Sequence, residues 1–561
     1  MTESILEAGA PGSGKRRAPM AVVVMASATG TTFEWYDFFV FGALTPIIAK
    51  NFFTGLSSTA GLLAALALFG VAYFFRPLGA LIFGRVGDRV GRKGTFLITL
   101  SMMGGATVAI GLLPTYPQVG AIAPLLLILM RIIQGTALGG MYGGAVIYVA
   151  ENAGAERRGT LTSAVQSSAA FGLIGALLVI LMVRGWQGET RFGDPGFTGG
   201  WRFPFLLSAA LLAMSLWMRA RLTESPVFAA MHAEGVKAKA PYAQTFGHWE
   251  NLRLVLIAFF TLMCAQGAAW YLTFFYAEQV YLERFMKIAP ATGEGLLIAM
   301  TIASAPLYMF FGWLSDRVGR KWVMWGGMTL MLVAYFPAFH AMTHFANPAL
   351  EAAQKKTPVV VVADPARCSL QFDVIGKAKF VTACDIAKST LSNAGVSYAN
   401  AAAPAGTAAV VKIGDQIVPS RDGKGLSPTA LKAAQEDVKT RLTVALGHAG
   451  YPAKADPAQV NFGALLAILM VFVIACTALY GPMAAALVEL FPAKVRYTAL
   501  SVPYHVGTGW VGGFVPVTAF AIVTASGDIY AGLWYPVIFT AISVVSLPFL
   551  LPENKACAIT G

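Results

Sequence analysis

Charge is what this 561-residue sequence has least of: Asp, Glu, Lys and Arg make up 12% of it, against 57% hydrophobic residues. A soluble globule carries about 25% charged residues, so this chain lacks the polar surface to be one. The shortage excludes a soluble enzyme, a single-span receptor and a disordered chain. Cysteine is also scarce, at five residues, and no Cys/His spacing matches a zinc site. No nucleophile–base set is present either, so no enzymatic activity, metal or cofactor is expected. Gly9 to Arg16 reads GAPGSGKR, close to a phosphate-binding loop. It lacks the Ser or Thr that would hold Mg²⁺, and no strand precedes it, so it reads as a flexible linker. Lys15-Arg16-Arg17 resembles the start of a signal peptide, but polar residues interrupt the apolar stretch after it, and Glu34 and Asp37 come next. It reads instead as the cytoplasmic anchor of a first membrane span.

What is present is apolar sequence in quantity. A bilayer crossing takes ~20 apolar residues. Runs such as Leu62 to Phe75 and Leu465 to Leu479 are apolar all round, whereas barrel strands alternate, so the spans are helices. Hydropathy and punctuation predict spans at about 20–48, 58–83, 94–113, 121–149, 161–183, 203–220, 254–280, 291–313, 322–342, 461–488, 499–525 and 531–551. The expected fold is an all-α membrane protein with twelve transmembrane helices in two six-helix bundles. Its parts are a cytoplasmic tail 1–19, an N-terminal bundle 20–220, a cytoplasmic linker 221–253 with Arg221, Glu224, Lys237, Lys239 and Arg253, helices 7–9 at 254–342, an insert 343–459, helices 10–12 at 460–551, and a tail 552–561.

The net charge of +13 raises the question of nucleic-acid binding, and the placement of the bases answers it. Of 41 Lys and Arg, 20 fall in segments assigned to the cytoplasm, 6 in short outer loops, 2 inside spans and 13 in the insert. That skew is the positive-inside signature of a membrane protein, and no nucleic-acid partner is expected. It places both termini in the cytoplasm and the insert outside, in an inner membrane. The insert has net charge +4 from 13 bases and 9 acids. It has β-like runs at Val359 to Val362 and Ala408 to Ile417, then a helix signal with Ser427 as N-cap, Pro428 in the first turn, and Leu431, Val438, Leu442 and Ala445 on one face. It reads as a small extracytoplasmic α/β-like domain, a stabilising cap or a ligand-capturing module. Cys368 and Cys384 lie in it, where a disulfide can persist. Cys264 and Cys476 lie in spans as small core residues.

The strongest internal signal is a repeat. Gly84-Arg-Val-Gly-Asp88-Arg89-Val-Gly91-Arg92-Lys93 follows the second span, and Gly312-Trp-Leu-Ser-Asp316-Arg317-Val-Gly319-Arg320-Lys321 follows the eighth. The unit is therefore a duplicated six-helix bundle, and parallel repeats of this kind rock about a site near the membrane midplane. In each loop the glycines permit a tight turn, the bases meet headgroups, and the aspartate can accept from a helix N-terminus or an arginine across the bundle.

Charges inside spans cost ~2.5–3.5 kcal/mol each near the helix centre and are functional candidates for that reason. Glu34 and Asp37 share a helix face in the first span, and two such carboxyl groups can carry a coupled proton, Glu34 ahead of Asp37. The alternative is that one of them neutralises a buried arginine. Arg131, roughly 15 Å into the fourth span at 1.5 Å per residue, can pair with a first-span carboxylate or bind an anionic solute, with Gln134 one turn on. Gly135, Gly139, Gly140, Gly143 and Gly144 then allow close helix approach. Arg76 faces the cavity or snorkels inward. Tyr36, Tyr271, Tyr504 and His505 join Arg76 and Gln134 as candidate solute contacts. His505 could titrate or make a structural hydrogen bond, and Asn461 and Glu489 mark span ends.

The two G-x-x-x-D-R-x-G-R-K loops, with Arg131-Ile-Ile-Gln134-Gly135, resemble the major facilitator superfamily. Glu34-Trp35-Tyr36-Asp37-Phe38, Phe75-Arg76-Pro77-Leu78-Gly79, Trp201-Arg202-Phe203-Pro204-Phe205, Glu224-Ser225-Pro226 with Phe228, and Gly481-Pro482 with Glu489-Leu490-Phe491-Pro492 resemble its metabolite:proton symporter branch. That branch includes permeases for 2-oxoglutarate, citrate, shikimate and proline/betaine. The resemblance implies alternating access driven by proton import, with Asp88 and Asp316 in the inner gate and Glu34, Asp37 and Arg131 near the path. Gly139-Gly140-Met141 departs from the branch's usual Gly-Gly-Glu, and the insert has no counterpart in the pattern. The function expected is proton-coupled symport of a small organic acid anion by a monomer in a bacterial inner membrane. The alternatives are a zwitterionic osmolyte symporter, a proton-driven exporter, or a transporter-like sensor that binds a ligand through the insert.

Overall fold

The first predicted span does not run straight through. Pro46, which has no N–H to donate, separates α1 (Met20–Ala43) from a short helix, Thr45–Phe52. The computed structural model describes residues 19–53, 58–220, 223–234, 240–371 and 380–553. Gly9 to Arg16, Lys15-Arg16-Arg17, Arg221, Lys237, Lys239 and Cys557 lie outside these. Within them, α1, α2 (Ser58–Arg89), α3 (Arg92–Leu112), α4 (Ile122–Asn152), α5 (Arg158–Phe192) and α6 (Arg202–Ala220) form the N-terminal half. The C-terminal half holds α7 (Trp249–Phe285), α8 (Pro290–Val318), α9 (Arg320–Ala346), α10 (Phe462–Leu490), α11 (Arg496–Ser526) and α12 (Ala531–Leu550). Among the described residues, the ten helices from α3 to α12 are long and apolar enough to cross a membrane by themselves. The first, α1, interrupts its apolar sequence with Glu34 and Asp37.

Both ends of the bundle are identifiable. The two repeated loops, at α2–α3 and α8–α9, lie at one end, here called the loop face. Two short helices, Pro226–Ala233 and Pro241–Phe246, occupy the connection between halves at that same end. Apolar side chains such as Met25, Leu125, Phe171, Leu181 and Val333 point outward from the helices, as lipid-facing residues must. Among the described residues, two helices contain widened turns. In α7 the turns widen to i→i+5 at Phe259–Met263 and Leu272–Phe285, and in α11 at Gly507–Gly512. Such insertions concentrate at functional sites. These two helices touch backbone to backbone, since a Cβ on Gly267 would lie 2.1 Å from the Gly507 carbonyl oxygen.

The insert sits at the opposite end, on the C-terminal half. Its ends meet: the Asn461 amide donates to the Phe345 carbonyl at 3.0 Å. Four strands, β1 (Val359–Ala363), β2 (Tyr398–Ala402), β3 (Val410–Ile413) and β4 (Gln416–Pro419), form a sheet in the order β2-β1-β3-β4. Strands β1 and β2 are parallel; β1 with β3, and β3 with β4, are antiparallel. The β-like run from Ala408 to Ile417 is a hairpin, because Gly414 takes φ +55° and turns Ile413 back onto Gln416. Strand β2, Tyr-Ala-Asn-Ala-Ala, has no alternating apolar pattern to announce it. A helix spans Pro428–His448, with the Ser427 hydroxyl accepting from the Ala430 amide. A second helix, Ala383–Asn393, is tied by the Cys368–Cys384 disulfide.

This insert finishes α11, which would otherwise end in open carbonyls. Tyr398 donates its hydroxyl to Thr524 O, Lys388 reaches Ala525 O at 3.3 Å, and Asn400 reaches Ser526 O at 2.6 Å, all at the end of α11. The Lys287 ammonium, beyond α7, donates to Pro452 O at 3.0 Å. Burial there lowers the Lys287 pKa to about 8.

Candidate functional site

The repeated loops hold the two halves together at the loop face by a reciprocal rule. An α-helix leaves its first amide N–H groups without partners, and a side chain at the N-cap usually accepts from them. Helices α5 and α11 begin after Arg157 and Val495, and neither residue caps with its side chain. The caps come from the other half. Asp88 accepts from the Tyr497 and Thr498 amides, each at 3.0 Å, and from the Thr498 hydroxyl at 2.7 Å. Asp316 accepts from the Gly159 and Thr160 amides, each at 2.8 Å, and from the Thr160 hydroxyl at 2.7 Å. Each aspartate is thus a helix cap supplied in trans, with its charge at the positive end of a helix dipole.

Arginines and glutamates extend each latch. Arg92 pairs with Asp88 at 3.3 Å and lies 3.8 Å from Glu151, which binds Arg496 at 2.8 Å. In the mirrored set Arg320 pairs with Asp316 at 2.5 Å and with Glu489 at 3.1 Å, and Glu489 binds Arg158 at 2.7 Å. Glu489, expected only to mark a span end, is a centre of the network. Gly91 and Gly319, at φ +121° and +117°, open α3 and α9 in a conformation few other residues tolerate. The amides that follow them are held by Glu224, on Arg92 and Lys93, and by Glu553, on Arg320 and Lys321. Gly84 and Gly312 admit close neighbours, Thr498 and Ser163. Arg89 and Arg317 are exposed, with Arg317 over the Trp313 ring.

Midway through the bundle the N-terminal half carries its buried charges along one face of α1. Glu34 is ion-paired with Arg76 at 3.5 Å, so Arg76 does not snorkel. Asp37 accepts from the Thr107 hydroxyl and, at 3.1 Å, from the Ser208 hydroxyl. Thr107 accepts from the Gln134 amide at 2.8 Å, and the Gln134 oxygen accepts from Arg131 at 2.9 Å. Asp37 and Arg131 are therefore linked through Thr107 and Gln134. Arg131 also lies 3.9 Å over the Phe41 ring. Tyr36 belongs elsewhere: its hydroxyl donates to Pro204 O at 2.8 Å, within the outer core of the N-terminal half.

Aromatic rings from both halves close over these charges. Trp35 meets Trp270 at 4.9 Å, Tyr73 meets Tyr271 at 5.4 Å, and Tyr142 stacks on Tyr504 at 3.7 Å. The cavity that Asp37, Tyr73, Arg131 and Gln134 help to line measures about 10 Å³, room for about one water molecule. The halves must part before a metabolite can reach it. From the C-terminal half, both ring nitrogens of His505 and both amide atoms of Gln266 are buried with no hydrogen-bond partner among the described residues. The structural hydrogen bond open to His505 is not made. A buried polar atom left this way costs ~1–3 kcal/mol, which a bound solute or water would recover.

Sequence reading missed Glu151, Arg158, Arg496, Glu553, Thr107, Ser208 and Gln266. One signal could have found the latch helices: Arg158-x-Thr160-x-x-Ser163 recurs as Arg496-x-Thr498-x-x-Ser501.

A duplicated bundle, latched at one end and charged at its centre, defines a membrane transporter rather than an enzyme. Comparison with known proteins agrees. The model of the family described as "Sugar (and other) transporter" matches residues 22–248. The shikimate transporter of Escherichia coli (strain K12) is 33% identical over 327 residues, 57% of this chain and 72% of that protein. The inner membrane metabolite transport protein YhjE of the same strain is 34% identical over 337 residues, 58% of this chain and 74% of that protein. A Staphylococcus aureus (strain MSSA476) protein with the provisional name of proline/betaine transporter is 33% identical over 327 residues, 57% of this chain and 68% of that protein. In fold, a double-tryptophan variant of XylE matches with TM-score 0.62 at 15% identity, over 96% of each chain. The proton:xylose symporter XylE bound to 6-bromo-6-deoxy-D-glucose matches with TM-score 0.57 at 17% identity, over 96% of this chain and 97% of that one. The chain belongs to the major facilitator superfamily, with the metabolite transporters above, and is a multi-pass membrane transporter.

Proposed function

We propose that this protein couples proton import to uptake of a small organic acid anion by alternating access through twelve transmembrane helices. The loop face is cytoplasmic, with both termini, and the insert is extracytoplasmic in a bacterial inner membrane. The observation that carries the reading is the charge arrangement along α1: Glu34 against Arg76, and Asp37 joined to Arg131 through Thr107 and Gln134. Protonating Glu34 or Asp37 frees an arginine for the carboxylate of a solute, and losing that proton on the inner side restores the pair and releases the solute. His505 and Gln266, with Tyr271 and Tyr504, complete the contact from the C-terminal half. The aspartate latches hold the cytoplasmic side shut until the halves rock. The family resemblance supports the coupling, and the shikimate transporter supports an acid as cargo. A monomer is sufficient, because both halves of the site lie on one chain.

The test is uptake of labelled shikimate, 2-oxoglutarate and glycine betaine into proteoliposomes, with and without an imposed inward proton gradient. Gradient-driven accumulation of an acid supports the proposal. Accumulation of the betaine alone favours the zwitterion reading, and uptake indifferent to the gradient overturns proton symport.

A further inference from the structure

The face of α1 that carries Glu34 and Asp37 continues toward the loop face through Gly30 and Ser27, and a third buried arginine meets it there. Arg219, near the end of α6, is 4% exposed. One of its terminal nitrogens donates to Ser27 O at 3.1 Å, and its guanidinium lies 3.1 Å over the Phe96 ring. Gly30 makes the room: a Cβ there would come 2.7 Å from that terminal nitrogen. Arg76 has Glu34 and Arg131 is linked to Asp37, but among the described residues no carboxylate lies within ion-pair distance of Arg219. Its Nε and the neighbouring Ser27 hydroxyl are both buried without a hydrogen-bond partner. Tyr148 spends its hydroxyl on Thr223 O at 2.7 Å.

Tyr497 explains why this guanidinium is out of reach in the latched state. Its ring fills a groove of the N-terminal half where Cβ atoms at Gly87 and Gly144 would collide with it, and its hydroxyl donates to Gly140 O at 2.6 Å. Phe96 lies against the same Gly144, with Arg219 behind it. Tyr497 is also one of the two residues whose amide Asp88 caps. Opening the latch withdraws the ring from the groove and leaves a glycine-lined passage leading toward an arginine that has no counter-ion among the described residues.

We propose that Arg219 is a cytoplasmic-side subsite for the carboxylate of the cargo, occupied after the anion leaves the midplane arginines and before it reaches water. This rests on the reading of the protein as a transporter of an organic acid anion. Desolvating an arginine without a carboxylate is costly, and a passing carboxylate in a forked hydrogen bond offsets that cost. The subsite exists only when the inner side is open, so its effect is one-sided.

The experiment uses the full chain in oriented proteoliposomes and whichever of shikimate, 2-oxoglutarate or glycine betaine the wild type carries. Exchange is measured with that probe varied inside or outside. Arg219→Gln should raise the half-saturating concentration on the loop-face side about tenfold, the worth of one charge-assisted contact, and leave the insert-face value within about twofold. Arg219→Lys, which keeps the charge without the fork, should fall between. Thermal stability of each purified variant is followed in parallel, and only variants that remain folded are compared. Equal shifts on both sides, or none, in a folded variant overturn the subsite while leaving the transport reading intact. A wild type that moves none of the carboxylates overturns both.

Discussion

Replacing Asp88 by Asn should unlatch one side of the loop face, and the size of the effect follows from the geometry. The carboxylate accepts from two backbone amides and one hydroxyl at 2.7–3.0 Å. Asn keeps one acceptor oxygen, loses the charge, and turns an NH₂ toward a donor. Asn caps a helix about as well as Asp, so the main loss is the charge at the positive end of a partly buried helix, up to ~2 kcal/mol. That corresponds to roughly a 30-fold fall in the ratio of latched to open protein. Hydrogen–deuterium exchange over residues 495–501 reads this directly, because the Tyr497 and Thr498 amides have no acceptor inside their own helix. In Asp88→Asn their exchange should accelerate ten- to hundredfold. The peptide carrying Gly159 and Thr160 should also speed up, since both latches close the same seam. Unchanged exchange at 495–501 would refute trans-capping as the source of protection, and acceleration confined to that peptide would refute a shared seam.

Further outcomes rest on the same contacts. Glu34→Gln should abolish accumulation driven by a proton gradient while sparing solute counterflow, measured in the same vesicles; full accumulation would move the proton to Asp37. His505→Ala should weaken cargo affinity several-fold with little change in thermal stability, because the imidazole makes no hydrogen bond among the described residues that its loss would break; this is checked by the concentration dependence of uptake and a melting curve. Replacing residues 348–459 by a short linker should leave a folded transporter, since Phe345 and Asn461 are already hydrogen-bonded. Its melting temperature should drop as the end of α11 loses the caps from Tyr398, Lys388 and Asn400, and loss of cargo affinity alone would instead make the insert a capture module. In intact cells, an impermeant maleimide should label Cys368 and Cys384 only after an impermeant reductant, and labelling that requires permeabilised membranes would place the insert inside.

The helices were legible because a residue facing lipid or a neighbouring helix must be apolar whichever way it points, and that leaves runs no loop would carry. The duplicated aspartate loops were legible because both copies kept their spacing. Their partners were not: Glu151, Arg158, Glu489 and Arg496 stand at helix ends, where a charge reads as an anchor to headgroups, and only the reciprocal docking of the halves brings them together. Tyr36 shows how neighbours in sequence part in the fold. It sits between Glu34 and Asp37 in sequence, but a helix turns 100° per residue, which puts its hydroxyl on Pro204. In the insert, the turn signal Gly414-Asp415 was read through as part of one β-like run, and β2 hid in an alanine-rich segment. Arg219 could not be singled out at all, because the missing carboxylate is a property of its surroundings.

Proton movement accompanying cargo is the claim on which the rest depends. In lightly buffered vesicles with no imposed gradient and a trapped pH dye, adding an external acid that the protein carries should acidify the lumen in step with cargo uptake. Glu34→Gln should carry cargo by exchange with no acidification. Cargo flux in the wild type with the lumen pH unchanged would contradict proton coupling.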